Sequence, residues 1–345
     1  MMRNNEALWA SVRPGAPFKR APRVAGYMVE LPIHESLPHD RSAELWVDGE
    51  PTERLSSSIR RWVTTLMHDE GVTAPLGRDS VSVKARVWSR QAGRLAGIAA
   101  ADHLMREWMP GATWNWMAED GADIEAGKII LAIEGGRKQV LAAERMILNL
   151  VGRLSGIATN TLSWSGVADP MRVASTRKVH WGLLDKWAVH LGGGLTHRLI
   201  RSDARMIKEN DLAGMVREDE KRPKAVARVV RELDLDSVGA FIVLEVATID
   251  EAVAAAEVWV QRITDEGRQD RLTLMLDNMD QEKAKEVILD LNTHEFRDLV
   301  IVEASGNVSF SELETWKTLG VDLVSASALH RGATPLDLSM LFEGA

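Results

Sequence analysis

Short apolar segments alternate with amphipathic helices between residues 171 and 325, and this rhythm restricts the fold more than any other feature of the sequence. Each segment is apolar at consecutive positions, so both faces of the predicted strand need cover, as in a parallel sheet packed against helices. Six or seven such units in about 190 residues favour a barrel over an open sheet. The predicted strands are 171–175, 204–208, 241–246, 272–276, 299–304 and 322–325.

The preceding part of the chain has a mixed pattern that predicts a smaller α+β domain. Helices are predicted at 55–67 and 97–108, strands at 81–88, 112–118 and 128–133, and a further helix from Glu144 towards Thr161. We therefore predict an extended lead-in (1–40), an α/β domain (41–143 with 333–345) and a barrel domain (144–332).

Composition excludes several classes of protein. The net charge of -8 opposes general attraction to nucleic acid, so any anion site must be built locally. The absence of cysteine excludes disulfides, thiolate metal sites and a cysteine nucleophile, and it suits a reducing, cytoplasmic location. No apolar run approaches the roughly 20 residues that span a bilayer, so we expect no membrane partner.

Polar or charged residues follow each predicted strand, at the end where barrels carry their chemistry. The cations Arg177, Lys178 and Lys208 suit carboxylates and phosphates. Glu245 and Asp277 are hard oxygen donors that suit Mg²⁺. Any one of these residues is explained equally well by a local salt bridge, whereas recurrence at every strand end favours one shared site. The other strand-end residues include Glu209, Asn210, Asn278, Glu303, Ser305, Ser325 and Ser327.

Two further groups extend this prediction. Ser305 with Gly306, and the turn from Ser325 to Ser327, lie where late barrel strands commonly bind phosphate through backbone N–H groups. His197 and Arg198 follow the glycines 192–194, and we expect both to contact substrate. The glycines themselves indicate a tight turn with close backbone approach, and His180 and His190 are interpreted as structural or exposed. The sequence thus predicts one substrate with carboxylates, a second with phosphates, and a magnesium ion.

These residues stand in motifs that resemble the quinolinate phosphoribosyltransferases, also called carboxylating nicotinate-nucleotide pyrophosphorylases. Eight motifs occur in the order and spacing of that family. They are ERMILNLVGRLSGIAT (144–159), STRK (175–178), GGGLTHRL (192–199), DARMIKEND (203–211), LEVATIDEA (244–252), MLDNM (275–279), VEASGN (302–307) and GVDLVSASAL (320–329).

The resemblance implies an N-terminal α/β sandwich domain and a C-terminal open α/β barrel of seven strands, the type II phosphoribosyltransferase fold. It implies transfer of phosphoribosyl from phosphoribosyl pyrophosphate to quinolinate, giving nicotinate mononucleotide, pyrophosphate and carbon dioxide for NAD synthesis. It also implies a homodimer or a higher homo-oligomer, in which the sandwich of one subunit covers the barrel mouth of the other.

Site roles follow from the same resemblance, motif by motif. Arg145 reaches the quinolinate of the neighbouring subunit, and Lys178, Glu245 and Asp277 are the catalytic residues. Glu245 and Asp277 bind the ribose hydroxyls and Mg²⁺. The two carboxylates and the pyrophosphate are surrounded by Arg177, Lys178, His197, Arg198 and Lys208. The 5-phosphate is held by Ser305, Gly306, Ser325, Ala326, Ser327 and Ala328.

Several positions depart from the family pattern and leave alternatives open. TRKTTPGLR of the family reads TRKVHWGLL here, KDNH reads KEND with Asp211 in place of histidine, and Asn307 and Ser327 replace glycines. The alternatives are a related transferase acting on a monocarboxylate such as nicotinate, and a non-catalytic paralogue that binds a phosphorylated ligand.

Overall fold

The computed structural model of this chain describes residues 37–77, 79 and 81–343. The predicted lead-in (1–40) therefore lies outside the described residues except for its last four positions. The helices are α1 (Glu53–Asp69), α2 (Ile98–Trp108), α3 (Arg137–Ala168), α4 (Leu183–Leu191), α5 (Glu209–Ala213), α6 (Arg222–Arg231), α7 (Ile249–Asp265), α8 (Gln281–Thr293), α9 (Leu313–Leu319) and α10 (Ala328–Arg331). The strands are β1 (Trp46–Val47), β2 (Glu50–Pro51), β3 (Ser82–Ser89), β4 (Gly93–Arg94), β5 (Thr113–Trp116), β6 (Asp123–Ile124), β7 (Ile129–Gly136), β8 (Arg172–Ala174), β9 (Arg205–Ile207), β10 (Ile242–Val246), β11 (Leu272–Asp277), β12 (Val300–Ser305), β13 (Leu323–Ser325) and β14 (Leu338–Phe342).

The C-terminal part is an open α/β barrel, as predicted. Its parallel sheet has the order β8-β13-β12-β11-β10-β9, which confirms all six predicted strands. The seventh strand position is occupied by Leu195, which forms a single parallel bridge to Ala174. The barrel is open between this segment and β9, because the described residues contain no strand pairing there.

Alternation along these strands separates two apolar layers. Leu244, Leu274 and Val302 are register partners in three adjacent strands and belong to the large core that the helices cover. Their neighbours Val243 and Met275 belong instead to a small separate cluster. Because successive side chains of a strand point to opposite faces, this second cluster lies inside the barrel. Continuous apolar runs were therefore required on both faces.

The first part of the chain forms a four-stranded antiparallel sheet in the order β14-β3-β7-β5. Strand β14, from the C-terminal end of the described chain, pairs with β3, so both ends of the sequence contribute to this sheet. No helix in the described ranges combines the length and apolar character that a membrane span requires.

The predicted start of the long helix at Glu144 was wrong, because α3 begins at Arg137. Its first turn is capped by Gln139, whose Oε1 accepts from Gly136 N at 3.0 Å, and by Asp79, whose Oδ1 accepts from Arg137 N at 3.0 Å. Gln139 is a local signal of this start that the sequence analysis did not use, whereas Asp79 is distant in sequence. The predicted domain boundary at 143/144 falls inside the helix, and the division into domains stays a prediction.

Helix α3 packs closely against the segment that leads to β14. Leu336 N donates to Gly152 O at 2.8 Å. A Cβ added at Gly156 would lie 2.2 Å from Thr334 O and 2.8 Å from Pro335 Cα. Both obstacles are main-chain atoms, so the backbone of one element would have to move.

We therefore expect Gly156→Ala to lower the free energy of unfolding by about 2 kcal/mol, as overpacking does. Gly166→Ala, in the same helix with open space around it, is the control. That change should raise stability by up to about 1 kcal/mol, because alanine favours helix. Urea denaturation of both variants measures the difference, and equal effects would contradict the close packing at Gly156.

Candidate active site at the barrel mouth

The carboxyl ends of the parallel strands bring the predicted site residues to one mouth. Asp277, Ser305 and Ser325 are register partners in β11, β12 and β13. Glu245 lies two residues after the inward Val243, so it points to the same interior as that residue. The polar residues that end the strands thus lie around a single opening.

An acidic pair with a lysine occupies one side of this mouth. Lys208 Nζ donates to Glu245 Oε1 at 2.5 Å, and Glu209 N donates to Glu245 Oε2 at 2.9 Å. The pKa of Asp277 is raised, first by partial burial and then by the negative charge of Glu245, while Lys208 and Lys178 oppose the rise. These four charged side chains therefore form one electrostatic group.

One predicted phosphate turn follows β12 and is braced against the end of β11. Gly306 has φ +88°, and an added Cβ would lie 2.3 Å from Asn278 Oδ1, so the position requires glycine. Asn307 has φ 53° and donates its side-chain N–H to Asn278 Oδ1 at 3.3 Å. Asparagine tolerates the left-handed region, so Asn307 replaces a glycine without leaving its backbone conformation.

The second predicted turn joins β13 to helix α10. Ser325 is buried, and it is one of the residues, after His197 and His39, that lower the pKa of the Glu303 carboxyl against the effect of burial. The carbonyl of Ser327 accepts from His330 N at 3.2 Å and Arg331 N at 2.8 Å, which starts the helix. Ser327 therefore has an ordinary helical role in place of the family glycine, and its half-buried side chain lies beside the mouth.

The arginines of the mouth are also close to one another. Arg177 and Lys178 are exposed, whereas Arg198 is buried. Burial lowers the pKa of the Arg198 guanidinium, and the positive charge of Arg177 lowers it further. The negative charges of Glu303 and Glu245 act on the pKa of Arg198 in the other direction, so the arginines lie within electrostatic range of the group around Lys208.

His197 is buried next to Arg198, and both of its ring nitrogens are hydrogen-bonded to protein groups. Its Nδ1 accepts from Arg198 N at 2.8 Å, so its proton is on Nε2, which lies 3.3 Å from Glu303 Oε2. His39, His197 and Glu303 have ligand atoms within 4.8 Å of one another, a spacing that suits a metal. A metal on Nε2 would move the proton to Nδ1 and against the Arg198 N–H, so the arrangement favours a hydrogen-bonded group.

Lys186 is a cation of this region to which the sequence analysis assigned no role. It is 1% exposed, and its Nζ donates to Thr196 O at 2.7 Å and to Ser175 Oγ at 3.5 Å. Burial, and then the charges of Arg177 and Arg198, lower its pKa to about 7. Its signal in the sequence is a lysine among the apolar residues of a short amphipathic helix.

The altered loop after Lys178 is held by a buried carboxylate. Asp185 Oδ2 accepts from His180 N at 2.8 Å and Trp181 N at 3.1 Å, and its two oxygens accept from Arg153 Nη2 at 3.0 Å. The Arg153 guanidinium carbon also lies over the Trp181 ring, 4.9 Å from the ring centroid. The ring of Trp62 stacks with that of Trp181, with 5.9 Å between the two centroids. The departing residues thus form a specific local structure.

Two remaining predicted positions have different surroundings. Asp211 Oδ2 accepts from Lys208 N at 3.0 Å, so the residue that replaces the family histidine caps helix α5. Arg145 is exposed on helix α3. The glycines 192–194 form the expected close approach, since a Cβ at Gly192 would lie 2.4 Å from Ala158 O.

Comparison with known proteins connects this geometry to one family. Residues 63–155 match the N-terminal domain of quinolinate phosphoribosyl transferase, and residues 157–341 match the C-terminal domain. The chain belongs to the quinolinate phosphoribosyltransferase family. The probable carboxylating nicotinate-nucleotide pyrophosphorylase of Methanothermobacter thermautotrophicus is 33% identical over 270 residues, 76% of this chain and 89% of that protein.

Other members of the family agree in sequence and in structure. Quinolinate phosphoribosyltransferase (decarboxylating) 1b of Nicotiana tabacum is 32% identical over 79% of this chain and 76% of that protein. The crystal structure of NadC from Streptococcus pyogenes superposes with a TM-score of 0.67 at 26% identity, covering 84% of this chain and 95% of that one. The fold is also that of the nicotinate-nucleotide pyrophosphorylase from Francisella tularensis, with a TM-score of 0.70 over 87% and 100% of the two chains.

The buried Lys186 predicts a pH-dependent difference in stability. Because its folded pKa of about 7 lies below the ordinary value of 10.5, the charged form opposes folding fully below pH about 7. That opposition fades as the pH rises towards 10.5. The free energy of unfolding of Lys186→Met, relative to that of the unmodified protein, should therefore be highest near pH about 6.5. This difference should shrink towards pH about 9.5.

Urea denaturation at both pH values checks this, with the exposed Lys285→Met as the control that shows no such trend. Lys186→Met also leaves the Thr196 carbonyl without the hydrogen bond from Lys186. That loss changes the free energy of unfolding equally at both pH values, so it does not affect the pH dependence. A stability difference independent of pH would contradict the lowered pKa of Lys186.

Proposed function

We propose that this protein transfers phosphoribosyl from phosphoribosyl pyrophosphate to quinolinate and decarboxylates the product to nicotinate mononucleotide. The observation that carries the proposal is the meeting of arginines, lysines and two carboxylates at one barrel mouth, in a chain with a net charge of -8. Such a cavity suits a small polyanionic pair of substrates. Relatives of this chain are named for that activity.

The cations would hold and orient the pyridine diacid. Arg177 and Arg198 are neighbours, and the Nε of Arg198 has no hydrogen-bond partner among the described residues. A buried guanidinium with an unused donor is matched by a carboxylate that accepts from its planar fork. Quinolinate carries two carboxylates on adjacent ring carbons, so correct placement also directs the ring nitrogen at the sugar.

The transfer forms a bond between the pyridine nitrogen and C1 of the ribose and breaks the bond from C1 to pyrophosphate. Positive charge develops on the ribose, as in glycoside chemistry, and Glu245 and Asp277 would stabilise it through their carboxylates. Lys178 and Lys208 neutralise the departing pyrophosphate. The new pyridinium then accepts the electron pair released as the adjacent carboxylate leaves as carbon dioxide, and a proton takes its place on the ring.

Magnesium fits the same acidic pair. Partial burial, and then the charge of Glu245, raise the pKa of Asp277, so the two carboxylates lie within electrostatic range of each other. Carboxylate oxygens with substrate phosphates and water are the ligands that Mg²⁺ prefers. Glu245 and Asp277 would hold the ion, which when bound supplies charge neutralisation at the pyrophosphate.

We propose that the second carboxylate is gripped by Arg145 of a partner subunit in a homodimer or higher homo-oligomer. Arg145 is exposed on helix α3, whereas the mouth residues of its own chain follow the barrel strands. Phosphate would be held by the turns at Ser305-Gly306 and at Ser325–Ala328. We further propose a cytoplasmic location, which the cysteine-free composition suits.

The direct test is incubation of the purified protein with quinolinate, phosphoribosyl pyrophosphate and Mg²⁺. We expect pyrophosphate and carbon dioxide in equal amounts, and loss of turnover when the metal is chelated. Turnover with nicotinate and none with quinolinate would replace the proposal by a monocarboxylate transferase. No turnover with either acid would favour a non-catalytic paralogue.

Arg145→Ala should raise the KM for quinolinate about hundredfold or more, because a carboxylate would lose its charged partner. Arg137→Ala, an exposed arginine in the first turn of the same helix, is the matched control and should leave the KM unchanged. Steady-state kinetics in both substrates measures the effect.

The action of Arg145 across an interface has its own signature. At quinolinate concentrations well below the raised KM, Arg145→Ala and Arg177→Ala should each have little activity alone, but subunit exchange creates mixed dimers with one intact site. A 1:1 mixture should therefore recover about a quarter of the original activity. Recovery that never exceeds the sum of the two separate variants would place Arg145 and Arg177 in the same chain's site.

A further inference from the structure

The segment of residues 37–45 lies before the part of the chain that the two domain models of the family match, which begins at residue 63. It nevertheless reaches into the barrel. Leu37 belongs to an interior cluster with Ala174, Leu195, Ile301 and Leu323. The N-terminal segment (residues 37–45) therefore supplies part of the barrel interior that the family-matched region does not.

His39 is the polar residue that this segment places in the barrel. Its side chain is completely buried, and its Nε2 lies 3.2 Å from Thr273 Oγ1 and 3.7 Å from Glu303 Oε2. Its ring centroid is 5.1 Å from that of His197 and 4.4 Å from that of Phe241. His39 thus fills the space directly beneath the pair formed by His197 and Glu303.

The backbone next to this group is strained and depends on it. His197 has φ 51°, in the left-handed region that a non-glycine residue adopts at a cost of about 1–3 kcal/mol. Two hydrogen bonds of its ring retain this conformation, one from Arg198 N and one to Glu303. Arg41 N also donates to Thr196 Oγ1 at 2.7 Å, so the N-terminal segment is attached to the residue before His197.

Glu303 is the residue of this group whose hydrogen bonding is incomplete. Its carboxylate is completely buried, and its Oε1 has no partner among the described residues. The imidazole of His39 lies on the inner side of Glu303 and gives its carboxylate a polar neighbour. Without that neighbour, a carboxylate in an apolar cavity would rearrange or take up a proton. Glu303 Oε2 therefore lies between the two imidazoles, 3.7 Å from His39 Nε2 and 3.3 Å from His197 Nε2.

We propose that His39 is a positioning residue for the barrel mouth: it supports Glu303 and His197 from beneath and so fixes the main chain of Arg198 where quinolinate binds. The inference rests on the proposed function for its substrate and on the described contacts for its mechanism. It assigns to the N-terminal segment a part in substrate binding rather than packing alone.

Three variants separate positioning from packing. His39→Leu fills a similar volume without a polar atom, His39→Gln restores an N–H donor at about the distance of Nε2, and Leu37→Ala removes only apolar contact from the same segment. We expect His39→Leu to raise the KM for quinolinate about tenfold, because the buried Glu303 carboxylate loses a polar neighbour, with the KM for phosphoribosyl pyrophosphate within about twofold. His39→Gln should recover most of this loss, and Leu37→Ala should lower the Tm without changing the ratio of the two KM values.

A second readout does not need turnover. The ¹⁵N imidazole spectrum of histidine-labelled protein reports the tautomer of His197, with its signals assigned by their loss in a His197→Gln variant. We expect the tautomer with the proton on Nε2 in the unmodified protein and in His39→Gln, and a mixture in His39→Leu.

The two proposals fail in different ways. If the unmodified protein does not use quinolinate, the proposed function is wrong, while the tautomer spectra still decide the role of His39. An unchanged His197 tautomer in His39→Leu overturns the inference. So does a rise of both KM values by the same factor in His39→Leu and Leu37→Ala, since that is the result of a purely structural role.

Discussion

Alternation along six parallel strands is the constraint on which the rest of the structure depends. One set of side chains must be apolar because the helices cover it, and the other set faces a narrow interior. At the carboxyl ends of the strands that interior opens to solvent. Polar side chains therefore replace apolar ones there, at positions that still face inward. Glu245 and Asp277 continue the rows of Val243 and Met275 in this way. Fold and site therefore come from one pattern.

The barrel mouth concentrates positively charged side chains within an acidic protein. Arg177, Arg198 and Lys186 lie close enough for each to affect the pKa of a neighbour, and the buried lysine has its pKa lowered to about 7. Folding alone gains little from cations placed against one another. Such an arrangement is stabilised when an anionic ligand binds, which is the physical argument that this mouth exists to hold one.

Departures from the family pattern have local structural explanations. Asn307 takes the left-handed backbone conformation that a glycine would take, and Asp211 caps the helix that follows Lys208. Asp185 fixes the altered loop by accepting from two of its backbone N–H groups. Each of these local structures leaves the backbone next to the mouth defined.

The sequence by itself determined the strands of the barrel, the helices between them and the polar residues at the strand ends, because alternation and helical spacing are local properties of the chain. It also indicated which cations meet, since parallel strands end at a common edge. Only the tertiary structure decided the partners of Glu303, the burial of Lys186 and the place of His39 beneath His197. These contacts join residues far apart in sequence, such as His39 and Thr273, and their geometry depends on how the elements pack. The start of α3 was missed for the same reason, because part of its cap comes from the distant Asp79.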